Sequence, residues 1–156
     1  MGRDTGKREF DLIVWGATGF TGQLVVEYLV QTYGVDGDLR WAIAGRNRSK
    51  LEAVRQSCLA TALHHKLPII VADSDDAGSL AALVARTRVI CTTVGPYAKY
   101  GTPLVAACVE AGTHYCDLTG EVQWMARVIP QYQQAAEASG ARIVHTCGFD
   151  SVPFDM

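Results

Sequence analysis

Three glycines in the stretch "VWGATGFTG", Gly16, Gly19 and Gly22, carry the most chemistry in their spacing. Bare backbone at such intervals can cradle a phosphate: its N–H groups donate, and the N-terminus of a following helix favours negative charge by roughly 0.3–1 kcal/mol. The same glycines can also serve only as a turn that needs positive φ. Their GxxGxxG spacing differs from the common GxGxxG dinucleotide fingerprint, so their position must decide. They follow an apolar run, Leu12 to Trp15, and precede a helical pattern, which is where a dinucleotide site belongs. On this reading Gly16, Thr18, Gly19, Phe20, Thr21 and Gly22 contact a cofactor, and Gly22 lets the helix lie close to the strand.

Other candidates stand at the ends of later apolar runs. A second run ends in "AGRN", where an enzyme using NAD usually keeps an acidic residue for the ribose hydroxyls. Arg46 stands there instead, beside Asn47. A guanidinium holds a ribose 2′-phosphate in bidentate fashion at about 1.5–3 kcal/mol, which favours NADP over NAD. The alternative is a solvated loop arginine. Asp73 either accepts from an adenine amino group or caps the next helix. Gly95 and Pro96 offer a rigid lining for the nicotinamide half, while Tyr97 and Tyr100 reach substrate or pack as aromatics. Asp117 and Glu121, in "CDLTGE", suit a general base, a cation site or a helix cap. "HTCGFDSVP" adds Cys147, Gly148, Asp150, Ser151 and Pro153, with Asp150 and Ser151 also able merely to order a loop.

These tips need a scaffold that brings them to one edge. Strand patterns at Leu12–Trp15, Arg40–Gly45, "LPIIVAD", Arg88–Val94, "HYCDL" and "ARIVHTC" alternate with helical patterns. Phe20, Leu24 and Tyr28, with Val25 and Leu29, recur at helical spacing in the first helix. Ser49 with Glu52 forms a capping box for the second, and Leu80, Leu83 and Val84 mark the third. Thr102 as N-cap and Pro103 as first residue open the fourth, which Gly112 closes; the fifth runs from about Val122 to Ser139. Six strands alternating with five helices predict an α/β fold, a doubly wound parallel sheet in the order 3-2-1-4-5-6, whose ligands lie beyond the carboxyl ends of the strands.

A chain of 156 residues, 49% apolar and 19% charged, suits one globular domain. Its net charge of −2 gives no field for nucleic acid, and no apolar run reaches membrane-spanning length. With no signal-peptide core either, the expected location is cytoplasmic. Five cysteines without a CxxC pair indicate neither a disulfide framework nor a zinc ribbon. His114 with Cys116 and His145 with Cys147 repeat an HxC spacing that a strand would place on one face, yet a metal site needs more ligands, and none is expected.

The blocks "GATGFTG", "WAIAGRNRSKL", "VGPYAKYGTPLVAACVEAGTHYCDLTGE" and "CGFDSVPFD" resemble the amino-terminal NAD(P)-binding Rossmann domain of saccharopine dehydrogenase-like oxidoreductases, nearest to their enoyl reductase-like, unassigned branch. The resemblance covers Leu12 to Asp155. It implies NADP as cofactor, a small-molecule carbonyl, imine or enoyl substrate, and Tyr97, Asp117 and Cys147 near that substrate. It further implies a second domain through which two copies could form a homodimer, so that residues 1–156 form one domain truncated from a longer enzyme and inactive alone. A dinucleotide-sensing regulator is the alternative. An atypical short-chain dehydrogenase would need a YxxxK pair, which no tyrosine here supplies.

Overall fold

Phe10–Trp15 forms β1 because its apolar side chains leave alternately on two faces, and each face meets a separate core. In the computed structural model, which describes residues 8–148, β2 (Trp41–Gly45), β3 (Ile69–Val71), β4 (Thr87–Thr92), β5 (His114–Cys116) and β6 (Ile143–Val144) join it. All neighbours are parallel, in the order β3-β2-β1-β4-β5-β6. The expected doubly wound sheet is therefore present. The helices are α1 (Phe20–Tyr33), α2 (Arg48–Cys58), α3 (Ala77–Ala85), α4 (Tyr97–Ala111) and α5 (Val122–Ser139). A 3-10 helix at Thr61–Lys66, which the sequence patterns did not include, precedes β3.

Right-handed crossovers put helices on opposite faces when strand order runs outward in opposite directions. Val14 and Ile43 accordingly pack with Val26 and Leu29 of α1 and Leu51 and Val54 of α2. Ile13, Ile90 and Tyr115 pack on the other face with Leu80 and Leu83 of α3, Leu104 and Cys108 of α4, and Trp124 of α5. At Gly101 an added Cβ would lie 2.6 Å from Trp124 Cζ2, so a bare residue lets α4 and α5 close over the sheet.

Four local expectations are corrected. In α1 the buried residues are Gly22, Val26 and Leu29, whereas Phe20, Leu24 and Tyr28 face solvent; the first turn must press Gly22, not Phe20, against the glycine turn. The second helix is capped by Asn47, whose Oδ1 accepts from Lys50 N at 3.0 Å, rather than by a Ser49–Glu52 box. The fourth helix starts at Tyr97, five residues before Thr102. Its first amides, of Tyr97 and Ala98, donate to the Glu121 carboxylate at 2.6 and 2.8 Å, a cap supplied from a distant loop that local spacing cannot reveal. The last strand is only Ile143–Val144, because the chain beyond it turns to bond Asp117.

Among the described residues no helix is long and apolar enough to cross a membrane.

Candidate functional site

Gly16 ends β1 with φ of +88°, a conformation glycine adopts without strain. Its carbonyl accepts from Gly19 N at 3.1 Å and from Thr93 Oγ1 at 3.2 Å, so the turn is latched to the loop after β4. Gly22 returns over it: a Cβ there would lie 2.1 Å from Gly16 O. Gly19 is different. Its φ of −74° suits any residue, and a Cβ would meet nothing closer than Gly16 O at 3.5 Å. Chain packing does not demand a glycine at this position, which is exposed at the head of α1. Among the described residues no side chain caps α1, so the amides of its first turn remain open to an outside acceptor.

These groups border a cleft of about 260 Å³ lined by Trp15, Gly16, Thr18, Gly19, Arg46, Ser74, Thr93, Val94, Gly95 and Tyr100. It lies beyond the carboxyl ends of β1, β2, β3 and β4, where a doubly wound sheet binds ligands. A larger hollow of about 670 Å³ runs between α4 and α5, lined by Ala106, Val109 and Tyr132 among others. That hollow sits toward the helix ends remote from the strand tips, so the smaller cleft is the better candidate. Arg46 is exposed, with no carboxylate partner among the described residues. Lys99 Nζ lies 4.8 Å from the Tyr100 ring centroid; its pKa is raised first by a hydrogen bond with Tyr100 and lowered in part by the Arg46 charge.

The remaining cofactor candidates distribute around this cleft unevenly. Phe20 and Thr21 are exposed on the first turn of α1, outside the cleft lining. Asn47 spends its side-chain oxygen on capping α2. Asp73 does not cap α3, which is capped by Asp76 onto Gly78 N at 2.9 Å. The Asp73 carboxylate instead accepts from Asp75 N at 3.0 Å. Pro96 follows Gly95 through a cis peptide and is the N-cap of α4. Trp15, Ser74, Thr93 and Val94 line the cleft without having been singled out in the sequence; only their position next to predicted strand ends could have signalled them.

Tyr97, Asp117 and Cys147 converge less than their proposed shared role would suggest. The Tyr97 side chain turns inward: its hydroxyl donates to Thr92 O at 3.2 Å and its ring lies 5.6 Å from that of Trp124. Burial pushes this hydroxyl up to about 12. The Asp117 side chain is fully buried. Its Oδ2 accepts from Tyr115 at 2.8 Å and meets His145 Nδ1 at 2.7 Å, while its Oδ1 accepts from Thr119 N at 3.1 Å and Thr146 N at 2.9 Å. Burial alone would raise this carboxyl, but the bonds from His145, the two amides and Tyr115 outweigh it and hold it below the usual carboxylate range. Cys147 is exposed just beyond, its amide donating to Asp117 O at 2.7 Å.

The sequence points to His145 only through the HxC spacing. The residue lies past β6, stacked edge-on against Trp124 with ring centroids 5.0 Å apart, and its buried Nε2 has no hydrogen-bond partner among the described residues. Among the described residues no group of three His, Cys, Asp or Glu side chains is arranged to hold a metal ion. Asp150, Ser151 and Pro153 lie outside the described residues.

The family model described as saccharopine dehydrogenase NADP binding domain matches residues 12–144. A protein of Mycobacterium tuberculosis (strain ATCC 25618 / H37Rv) whose name includes the words trans-acting enoyl reductase is 50% identical over 149 residues, covering 96% of this chain and 34% of that protein. The chain thus spans about a third of the length of such curated relatives. Among solved structures, apo saccharopine dehydrogenase (L-Glu forming) from Saccharomyces cerevisiae superposes with a TM-score of 0.69 at 16% identity, over 89% of this chain and 27% of that one. Triphenylmethane reductase of Citrobacter sp., complexed with NADP(H), gives 0.62 at 19% identity, over 87% and 48%. At such identities these two likenesses speak for the fold alone.

Proposed function

The chain belongs to the saccharopine dehydrogenase NADP-binding domain family, and from that premise we propose that it is the cofactor-holding part of an oxidoreductase that moves hydride between NADP(H) and a carbonyl, imine or enoyl substrate. The enoyl class draws support from the name of the 50% identical relative. The observation that carries the cofactor site is Gly19: a residue free to bear a side chain, left bare at the uncapped head of α1 and facing a cleft. The residues present fit NADP. Pyrophosphate suits the open amides of the first turn of α1, which the bare Gly19 lets it approach, and the 2′-phosphate suits Arg46, which has no carboxylate partner among the described residues, with Lys99 as a second cation nearby.

When bound, the nicotinamide supplies the hydride; the protein supplies orientation and charge. Asp73 and Ser74 flank the adenosine side, and Thr93, Val94, Gly95 and Pro96 form the wall for the nicotinamide half. Tyr100, which lines the cleft, is better turned toward ligand than Tyr97. We assign Tyr97 and Asp117 the task of holding the tips of β4, β5 and β6 in register from behind. Cys147, exposed beyond β6, stays on the substrate side. The same reading keeps the protein in the cytoplasm and leaves substrate contacts and pairing of two copies largely to a second domain.

Arg46→Ala tests the phosphate assignment. NADPH affinity, followed by cofactor fluorescence, should fall about ten- to hundredfold, the worth of one charge-assisted interaction, while NADH affinity changes little. Equal losses for both cofactors would refute a phosphate-reading arginine.

A further inference from the structure

Cys91 of β4 and Cys116 of β5 are register partners in adjacent parallel strands. Partners in a parallel sheet send their side chains to the same face, and here the opposite face is taken by the buried neighbours Ile90 and Tyr115. Neighbouring strands lie about 4.7–4.9 Å apart, inside the roughly 4.4–6.8 Å window of Cα separations that a disulfide spans. Both thiols are free and partly exposed, because α1 and α2 cover the β1–β2–β3 half of this face and, among the described residues, no helix covers the β4–β5 half. From this pairing we propose that Cys91 and Cys116 form a redox-responsive dithiol that hydrogen peroxide converts into an intramolecular disulfide. The site is independent of the NADP cleft and of the reading given to it.

The two sulfurs are not equivalent. A hydrogen bond from Cys116 lowers the Cys91 thiol against the opposing effect of burial, and the same bond, followed by burial, raises Cys116. Cys91 is therefore the first nucleophile, since the thiolate is the attacking species. Its sulfur attacks one peroxide oxygen; the S–O bond forms, the O–O bond breaks, and hydroxide leaves to become water. Sulfur is oxidised by two electrons to the sulfenic acid and peroxide is reduced. Cys116, deprotonated as it attacks, then displaces the sulfenic oxygen as a second water, so two thiols and one peroxide give one disulfide and two waters. The other cysteines are placed differently: Cys108 is fully buried, Cys58 lies on α2, and Cys147 is exposed past β6.

The test is peroxide treatment of the purified, folded chain, alkylation of the remaining thiols with N-ethylmaleimide, and peptide mapping by mass spectrometry. The expected product joins the Cys91 and Cys116 peptides, two hydrogens lighter than their sum, and dithiothreitol reverses it. Cys116→Ser should stop at a Cys91 sulfenic acid that dimedone traps, and Cys147→Ser should leave the link unchanged. Wild-type protein in which Cys91 and Cys116 stay alkylated, or in which the link involves Cys147, would overturn the proposal without bearing on NADP binding.

Discussion

Asp117→Ala should destabilise the fold by about 3–5 kcal/mol, measured by denaturant unfolding, which is a large part of the roughly 5–15 kcal/mol a domain holds. The carboxylate is fully buried and accepts bonds from β5, from the loop after it and from the chain past β6. Removing it strands the Tyr115 hydroxyl, the His145 ring and the amides of Thr119 and Thr146 together, and each unsatisfied buried group costs about 1–3 kcal/mol. Asp117→Asn keeps the shape and the Oδ1 acceptor, so its loss should be smaller. The acid branch of the stability profile provides a second reading. Because the native carboxyl is held below its ordinary value of about 3.9, its contribution is complete above that value and fades as pH falls through the native one. That part of the acid sensitivity should vanish in Asp117→Asn. A catalytic base facing solvent would instead give a stable Asp117→Ala protein.

Gly22→Ala should lose about 1–3 kcal/mol of stability and, with it, about tenfold in NADPH affinity. Helix propensity argues the other way, since alanine is favoured over glycine inside a helix by about 1 kcal/mol. The contact decides: the new Cβ would stand 2.1 Å from Gly16 O and 2.9 Å from Ala17 Cα, both backbone. Gly16 O is already held by Gly19 N and Thr93 Oγ1, so α1 must shift instead, carrying its open amides away from the proposed pyrophosphate position. A melt and a fluorescence titration on the same sample check both halves. Unchanged stability would show that the helix can retreat without cost.

What the sequence made legible was what depends on neighbours along the chain. Apolar alternation located every strand, and α5 was read to its final residue, because period and punctuation are local. Features built across the fold were not legible. The cap of α4 comes from Glu121, a loop away, so Thr102 and Pro103 looked like a start when they are interior. In α1 the apolar spacing of Phe20, Leu24 and Tyr28, with Val25 and Leu29, marked a helix, but the face it buries, Gly22, Val26 and Leu29, is set by contact with the glycine turn. At the site the glycines and Arg46 could be placed from their strand ends. The inward turn of Tyr97, and the alliance of Asp117 with His145, depend on Trp124, Tyr115 and Thr146, which no spacing connects.

The most direct measurement is a pair of titrations of the unmodified chain, with NADPH and with NADH, read by cofactor fluorescence. Tighter binding of NADPH by about ten- to hundredfold is the predicted result, since the two ligands differ only in the 2′-phosphate, for which Arg46 is the proposed partner. Equal affinities, or no binding of either cofactor up to about millimolar concentration, a free energy near −4 kcal/mol, would contradict the cleft as an NADP site.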